Sequence, residues 1–440
     1  MKRERKLGNK KTETKGLAAA EPFIWEESIK RFLLPGKTFA LFLSLFFQVK
    51  YTPMKTNHTS RITSYILILT LLALLMASCQ PAPAQPDPGI AMTTAFETAF
   101  AQINIPTVTP AFTETPIPTA TIPCMPPALP ATYQTNLLKP EDLPRSYVAD
   151  TCQYLQNKWN SNNAAPGTVV MPIMFHAVDK DAASSQYLKI SAQDLKKLMN
   201  DLHEMGFQAI NAQQMADFMY NNAKIPQLSV LIIVDDRAHA EKFNEHFRTY
   251  YEKWGWPVIN AYIGLDERPE LWAENAALSA EGWVDYQAHG YIHNTPIEES
   301  SSDEFINGEM GGAISSFQKY FNKTPIAYIW PGGGFSKRAA EIGIRLGYKI
   351  GFTVNPRGPV MYNWAPQADT FNASNPTLIP ETPAGNPLMT LPRYMDINAR
   401  AQLDTVRQIG SDASIYAEQN KVVELDYYNI VCAPTYGAMP

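Results

Sequence analysis

Two adjacent carboxylates, Asp235 and Asp236, close the apolar run LIIVDD, and two histidines, His289 and His293, follow downstream in QAHGYIHN. One carboxylate and two neutral imidazoles make a good donor set for a four- or five-coordinate divalent cation, zinc by its ligand preference, with positions left for water and a substrate oxygen. Open positions mark a catalytic centre rather than a structural one. The remaining carboxylate then has a task, accepting a proton from water that the cation acidifies. Each piece also has an ordinary reading. Acidic pairs at strand ends cap helices, and a His-x-x-x-His spacing arises by chance among seven histidines. Position in the fold decides between the readings.

The 290 residues from Thr151 to Pro440 alternate strand-like apolar runs with helical patterns. Strands are expected over 168–178, 229–236, 258–264, 326–331 and 348–354. Leu195, Leu198, Met199 and Leu202 recur at helical spacing after Ser191, and Gly206 stops that helix. Further helices are expected over 239–254, 303–321 and 336–346. Such alternation implies one α/β domain built on a mainly parallel sheet or barrel with crossover helices, a fold whose chemistry gathers at the carboxyl ends of the strands. His176, Asp235, Asp236 and Pro331 fall at or close to those ends, and His289 is expected at a strand end as well, which favours the metal centre over coincidence. Other singled-out residues take plainer roles. His239 and His246 lie seven apart on one helix and are expected to face solvent, and His203 has a surface role. Tyr250, Tyr251, Trp254 and Trp256 read as helix-packing aromatics rather than a sugar platform.

The segment ahead of this domain is an address. Lys55 and Arg61 precede an unbroken apolar run over 65–76, which ends in Ala77-Ser78-Cys79. That is a secretory signal, starting naturally at Met54, and its run falls short of the ~20 residues that span a bilayer. It resembles a bacterial lipoprotein signal, with Cys79 as the lipidated first residue of the mature chain, anchored to the membrane. Residues 1–53 read as an upstream extension produced by a misassigned start. Residues 80–130 hold twelve Pro and nine Thr, a tract that cannot bury a core and serves as an extended stalk. Anchor and stalk together place the domain outside the cytoplasm, at the cell surface. With Cys79 lipidated, Cys124, Cys152 and Cys432 remain, and bridges 152–432 and 124–152 are both allowed. Residues 1–79 carry thirteen Lys/Arg and five Glu, so their removal takes the net charge from −5 to about −13. That excess of negative charge argues against a nucleic-acid partner. A monomer is expected.

LIIVDD, AHGYIHN and IAYIWPGGGFSKRAAEIGIRLGYKIGFTV, in this order, resemble the metal-dependent polysaccharide deacetylases, the fourth family of carbohydrate esterases. The resemblance runs from about Val169 to Asp396. It implies a distorted β/α barrel of about seven strands, with Asp235 as catalytic base and Asp236, His289 and His293 as metal ligands. The family's late Leu-x-His motif is absent, since no histidine follows His293, while Met174-Phe175-His176 stands ahead of the aspartate pair. This order is similar to the circularly permuted branch, typified by secreted deacetylases of biofilm poly-N-acetylglucosamine, and makes His176 the general acid. Pro331 and Gly332 match the family's proline loop, with the Gly332 amide as an oxyanion donor and Met174 and Trp330 beside the substrate. Three departures stand out. No arginine occupies the proline-loop position that partners the base, where Trp330 or a neighbour stands instead; Arg237 replaces the glycine usual after the aspartate pair; and Trp364 is only a loose match to the fourth motif. The resemblance implies hydrolysis of N-acetyl groups on an N-acetylglucosamine-containing polysaccharide. A silent glycan-binding relative and an O-acetyl esterase are the alternatives.

Overall fold

The computed structural model describes residues 125–236, 239–265, 268–292 and 295–440. The signal, Cys79, Cys124 and nearly all of the stalk lie outside the described residues. Twelve strands follow one another: β1 (Leu143–Arg145), β2 (Val169–Phe175), β3 (Ala177–Asp179), β4 (Lys189–Ser191), β5 (Gln208–Ala209), β6 (Leu228–Val234), β7 (Val258–Tyr262), β8 (Val284–Ala288), β9 (Ala327–Ile329), β10 (Ile350–Phe352), β11 (Ala365–Gln367) and β12 (Tyr394–Met395). Eight of them form the central parallel sheet, in the order β10-β9-β8-β7-β6-β2-β12, with β5 paired to β6. The α/β expectation holds, and the intervening helices make the crossovers.

Alternation along each strand divides the core in two. Val169, Met171, Ile173 and Phe175 of β2 pack outward against the helices. Val170 joins Leu231, Ile233, Ile259, Ala261, Ile329 and Phe352 in a second cluster. Contact among residues from strands that are not neighbours requires the sheet to curl, with this second cluster inside the curl. The helix Ala212–Asn221 packs into the same inner cluster through Met215, Phe218 and Met219. The seam is joined by one short segment: Leu391 exchanges backbone hydrogen bonds with Gly351 and Thr353 beside β10, and Tyr394 and Met395 then pair with Ile173 and Met174 of β2. Pro172 sits in β2 without loss, because the backbone groups of Val170 and Pro172 point to the same edge, where Val170 bonds Val360 and no β12 partner precedes Ile173. The result is the distorted barrel expected, with a minimal seam.

Local elements follow their caps. Ser191 accepts from the Asp194 amide to start the helix Ala192–Glu204, and the buried residues of that helix are the four leucine and methionine positions named above. Ser336 does the same for the helix Lys337–Leu346. The helix expected over 239–254 forms in two pieces, Ala240–His246 and Arg248–Trp254. Phe247 breaks it by turning into the core, at 2% exposure, edge-on to Phe175. His246 departs from expectation as well. Its side chain is only 8% exposed and borders a pocket lined by Val234, Phe243 and Phe247. His203 stacks on Trp254 at 4.1 Å, and Tyr250 and Trp256 are buried, so this aromatic group is packing, as expected.

Residues 125–150 lie against the same body. β1 pairs antiparallel with β11, and Asp142 meets Arg357, which also binds Glu381, in a buried charge cluster. Trp364 is 4% exposed and donates to the Tyr133 carbonyl, which makes it a core residue. Of the two bridges the sequence allows, Cys152–Cys432 forms, tying positions 280 residues apart. In the chain-entropy account a loop of that length stabilises by on the order of 5 kcal/mol. Replacing both cysteines by serine is expected to lower the unfolding free energy by up to about that amount. Denaturant titration of the two forms measures it, and coincident midpoints would show the bridge to be idle.

Candidate active site

The carboxyl ends of β2, β6, β8 and β9 bring together the groups singled out above. Inward alternation along β6 passes from Leu231 through Ile233 to Asp235, which is 2% exposed and donates its own amide to the Phe175 carbonyl. Asp236 then takes φ +74°, a left-handed conformation that few residues other than glycine tolerate and that aspartate enters more readily than most. This turn ends the strand and leaves the Asp236 side chain 37% exposed, with Oδ1 3.8 Å from His289 Nε2. His176 follows the last residue of β2, and its Nε2 lies 3.9 Å from Asp235 Oδ2.

His289 is held by its other nitrogen. Nδ1 lies 2.9 Å from the Ile329 carbonyl, an acceptor only, so Nδ1 carries the proton and Nε2 presents a lone pair toward Asp236. The loop beyond is clamped from behind. Glu309, 1% exposed, accepts from the amides of Tyr291 and Ile292. Gly290 has φ +75°, and a Cβ there would come within 2.9 Å of both Glu309 and Pro331, so only glycine lets the histidine loop lie against the proline loop. Asp236 and His289, two of the three expected metal ligands, therefore lie side by side. His293 and Arg237 lie outside the described residues, and no group of three or more ligating side chains occurs among the described residues. The Asp236–His289 spacing and the free Nε2 lone pair fit a cation held between them.

Asp235, the expected base, has a cation partner after all. Arg393, fully buried, donates from Nη1 to Asp235 Oδ1 at 2.6 Å and from Nε to the Thr353 carbonyl at 2.8 Å. The arginine missing from the proline loop is supplied by the segment that joins the seam. Burial pushes the Asp235 carboxyl up, but Arg393, His289 and His176 together hold it below the usual range. His176 goes the other way from a simple ion pair: burial pulls its imidazole down more than Asp235 raises it. A signal for Arg393 was present in the sequence. An arginine inside the apolar run TLPRYM will be buried if that run is a strand, and a buried guanidinium needs a carboxylate.

The proline loop is a short turn, Pro331–Gly333, in which Gly332 is exposed at φ +59°. Trp330 cannot serve at the substrate's side. It is 0% exposed, its Nε1 donates to the Met389 carbonyl at 2.7 Å, and it packs edge-on to Tyr328, so it supports the loop from beneath. Met174 is likewise buried at 1%, on the inner face one step below His176. Beside His176 a pocket of about 150 Å³ is lined by Val178, Val234, Phe243 and Phe247, with Lys242 and His246 at its edge.

Asp396 was not anticipated. It is 2% exposed, Oδ1 accepts from the Ile397 amide, and Oδ2 has no hydrogen-bond partner among the described residues. Burial, with a smaller push from the charge of Asp235, raises its carboxyl to about 7. A folded value above the unfolded one means that its contribution to stability is full below about pH 4 and is lost as pH rises to about 7. Asp396→Asn should therefore flatten the decline in melting temperature over that window and leave the variant more stable than the parent at pH 8. Parallel melting curves that differ by a constant offset would refute the assignment.

No family model and no curated protein sequence matches the chain. Among solved structures it is similar to a Streptococcus pyogenes deacetylase, PplD, in complex with acetate, at 18% identity over 52% of this chain and 93% of that one, with a TM-score of 0.41. A de-N-acetylase from Aggregatibacter actinomycetemcomitans aligns at 16% identity over 55% of this chain and 99% of that one, TM-score 0.42. IcaB from Ammonifex degensii aligns at 14% identity over 58% of this chain and all of that one, TM-score 0.39. Likenesses this distant leave the chemistry to be read from the side chains.

Proposed function

We propose that this chain hydrolyses N-acetyl groups on an N-acetylglucosamine-containing polysaccharide, with the aid of a divalent cation, zinc by its donor set. The observation that carries the reading is the juxtaposition at one rim: a buried carboxylate clamped by Arg393, an imidazole 3.9 Å from it, and a ligand pair, Asp236 and His289, next door. Asp236 and His289, with His293, would hold the cation, which when bound acidifies water and polarises an acyl carbonyl. Asp235, kept ionised by Arg393, accepts the proton of the attacking water. His176 must give a proton to the departing amine. Its burial favours the neutral imidazole, so a proton newly accepted by Asp235, within 3.9 Å, is the nearest supply. Gly332 exposes backbone in the proline loop that lies against the His289 loop, where an amide would meet developing negative charge on the acyl oxygen. The apolar pocket beside His176 leaves room for part of the substrate.

Among the described residues no helix is long and apolar enough to cross a membrane. Attachment through Cys79 and display on the stalk stay part of the proposal, placing the activity on extracytoplasmic glycan. The test is acetate release from N-acetylglucosamine oligomers by the full chain, before and after loading with zinc, cobalt or nickel. Release that depends on metal is expected. Stoichiometric metal uptake with no acetate from any oligomer would overturn the reading in favour of a silent glycan binder.

A further inference from the structure

The end of the curl away from Asp235 carries a second cavity, of about 150 Å³, bordered by Gly167 and Thr168 at the start of β2. His176 closes the other end of that strand, so the two sites stand roughly 25 Å apart. Residues 129–133, where the Pro/Thr-rich tract meets the domain, form one wall. Aromatic rings form much of the rest. Tyr154 stacks on Tyr362 at 5.9 Å with 21° between planes, and Tyr133 leans on Trp364 at 6.1 Å and 33°. A charged pair completes the lining: Lys158 Nζ donates to Glu424 at 2.8 Å, and Glu424 is 4% exposed. The Tyr154 hydroxyl makes no hydrogen bond among the described residues, and burial, with the charge of Glu424, keeps it protonated and able to donate.

We propose that this cavity binds one pyranose ring of a glycan, separately from the catalytic rim. A pyranose presents an apolar C–H face and a rim of hydroxyls. Half-buried rings such as those of Tyr133 and Tyr362 suit the face, while Tyr154, Lys158 and Glu424 suit the rim. The other small ligands fit worse. A purely apolar guest would strip water from a buried ion pair and a free hydroxyl without replacing its hydrogen bonds. An anion would meet Glu424, and a cation would meet Lys158. A volume of about 150 Å³ is on the scale of one ring of a polymer. Tethering at one point raises the local concentration of the rest of the polymer at the rim.

Calorimetric titration of the full, metal-free chain with tetramers of N-acetylglucosamine, glucosamine and xylose tests the proposal without turnover. At least one tetramer should bind, and Tyr154→Phe, which keeps the ring stack and removes only the hydroxyl, should weaken that affinity about three- to tenfold. Tyr154→Ala should weaken it further. Hydrolysis of a small acetyl ester should be the same in Tyr154→Phe as in the parent. Absence of binding by all three tetramers, or an affinity indifferent to Tyr154→Phe, overturns the proposal. The binding does not depend on the deacetylase reading: Tyr154-dependent affinity without acetate release would sink that reading and leave this one standing.

Discussion

Asp235→Asn is expected to cut acetate release by about 10²- to 10⁴-fold, the range that a positioned general base supplies, while leaving metal uptake intact. The separation follows from geometry. Asp235 meets Arg393 through Oδ1 and His176 through Oδ2, whereas Asp236, one residue on, turns by its left-handed backbone toward His289. An amide at position 235 still accepts from Arg393 through its oxygen, so the arginine keeps a partner and the rim keeps its shape. What is lost is the ability to take a proton at neutral pH. The measurement is kcat with an oligomeric substrate beside metal content of the same preparation. A loss of activity matched by an equal loss of metal would move Asp235 from base to ligand, and a loss under tenfold would remove it from the chemistry.

The parts of this site that could be read in advance are those where residue type and local position coincide. LIIVDD is a run of buried β-branched and leucine side chains ending in two charges, which can only be a strand end, and the strand does end at Val234. His289 was expected at a strand end and follows β8, although no strand was expected over 284–288. Crossover helices showed through their spacing and serine caps because those signals lie within a few residues of one another. What could not be read depends on contacts made across the curl. Arg393 and Asp235 are 158 positions apart, and nothing near either names the other. Trp330 occupies a place where the sequence resemblance suggested substrate, yet the indole has turned under the loop to reach Met389, a choice made by the packing of β9 against β10 and the segment after 387. Phe247 breaks a helix that has no glycine or proline to break it, because the core offered an aromatic ring more than the helix offered one backbone turn. The disulfide was open between two pairings for the same reason: bridge geometry is tertiary.

Arg393→Met is expected to cost about 3–5 kcal/mol of stability at neutral pH, the usual penalty for leaving one member of a buried ion pair alone. Its pH dependence distinguishes this cause from simple mispacking. In the parent, Asp235 is held below its ordinary range, so the stability it contributes is present above the unfolded carboxylate range and is lost only as pH falls through its depressed folded value. Without the guanidinium, burial dominates and the Asp235 carboxyl rises. The variant can then relieve its unpaired charge by protonation, and the gap between parent and variant should narrow steadily as pH falls from 7 toward 4. Activity should follow the same displacement, its acid limb moving to higher pH because the base now protonates sooner. Arg393→Lys keeps the charge but cannot reach Asp235 and the Thr353 carbonyl together as the guanidinium does, so it should fall between the two. The double variant Arg393→Met with Asp235→Leu closes the cycle. It removes both charges and should recover most of the lost stability. A stability gap that stays constant with pH, together with additive effects in the cycle, would show Arg393 to be filling space, and the assignment of a clamped base would fail with it.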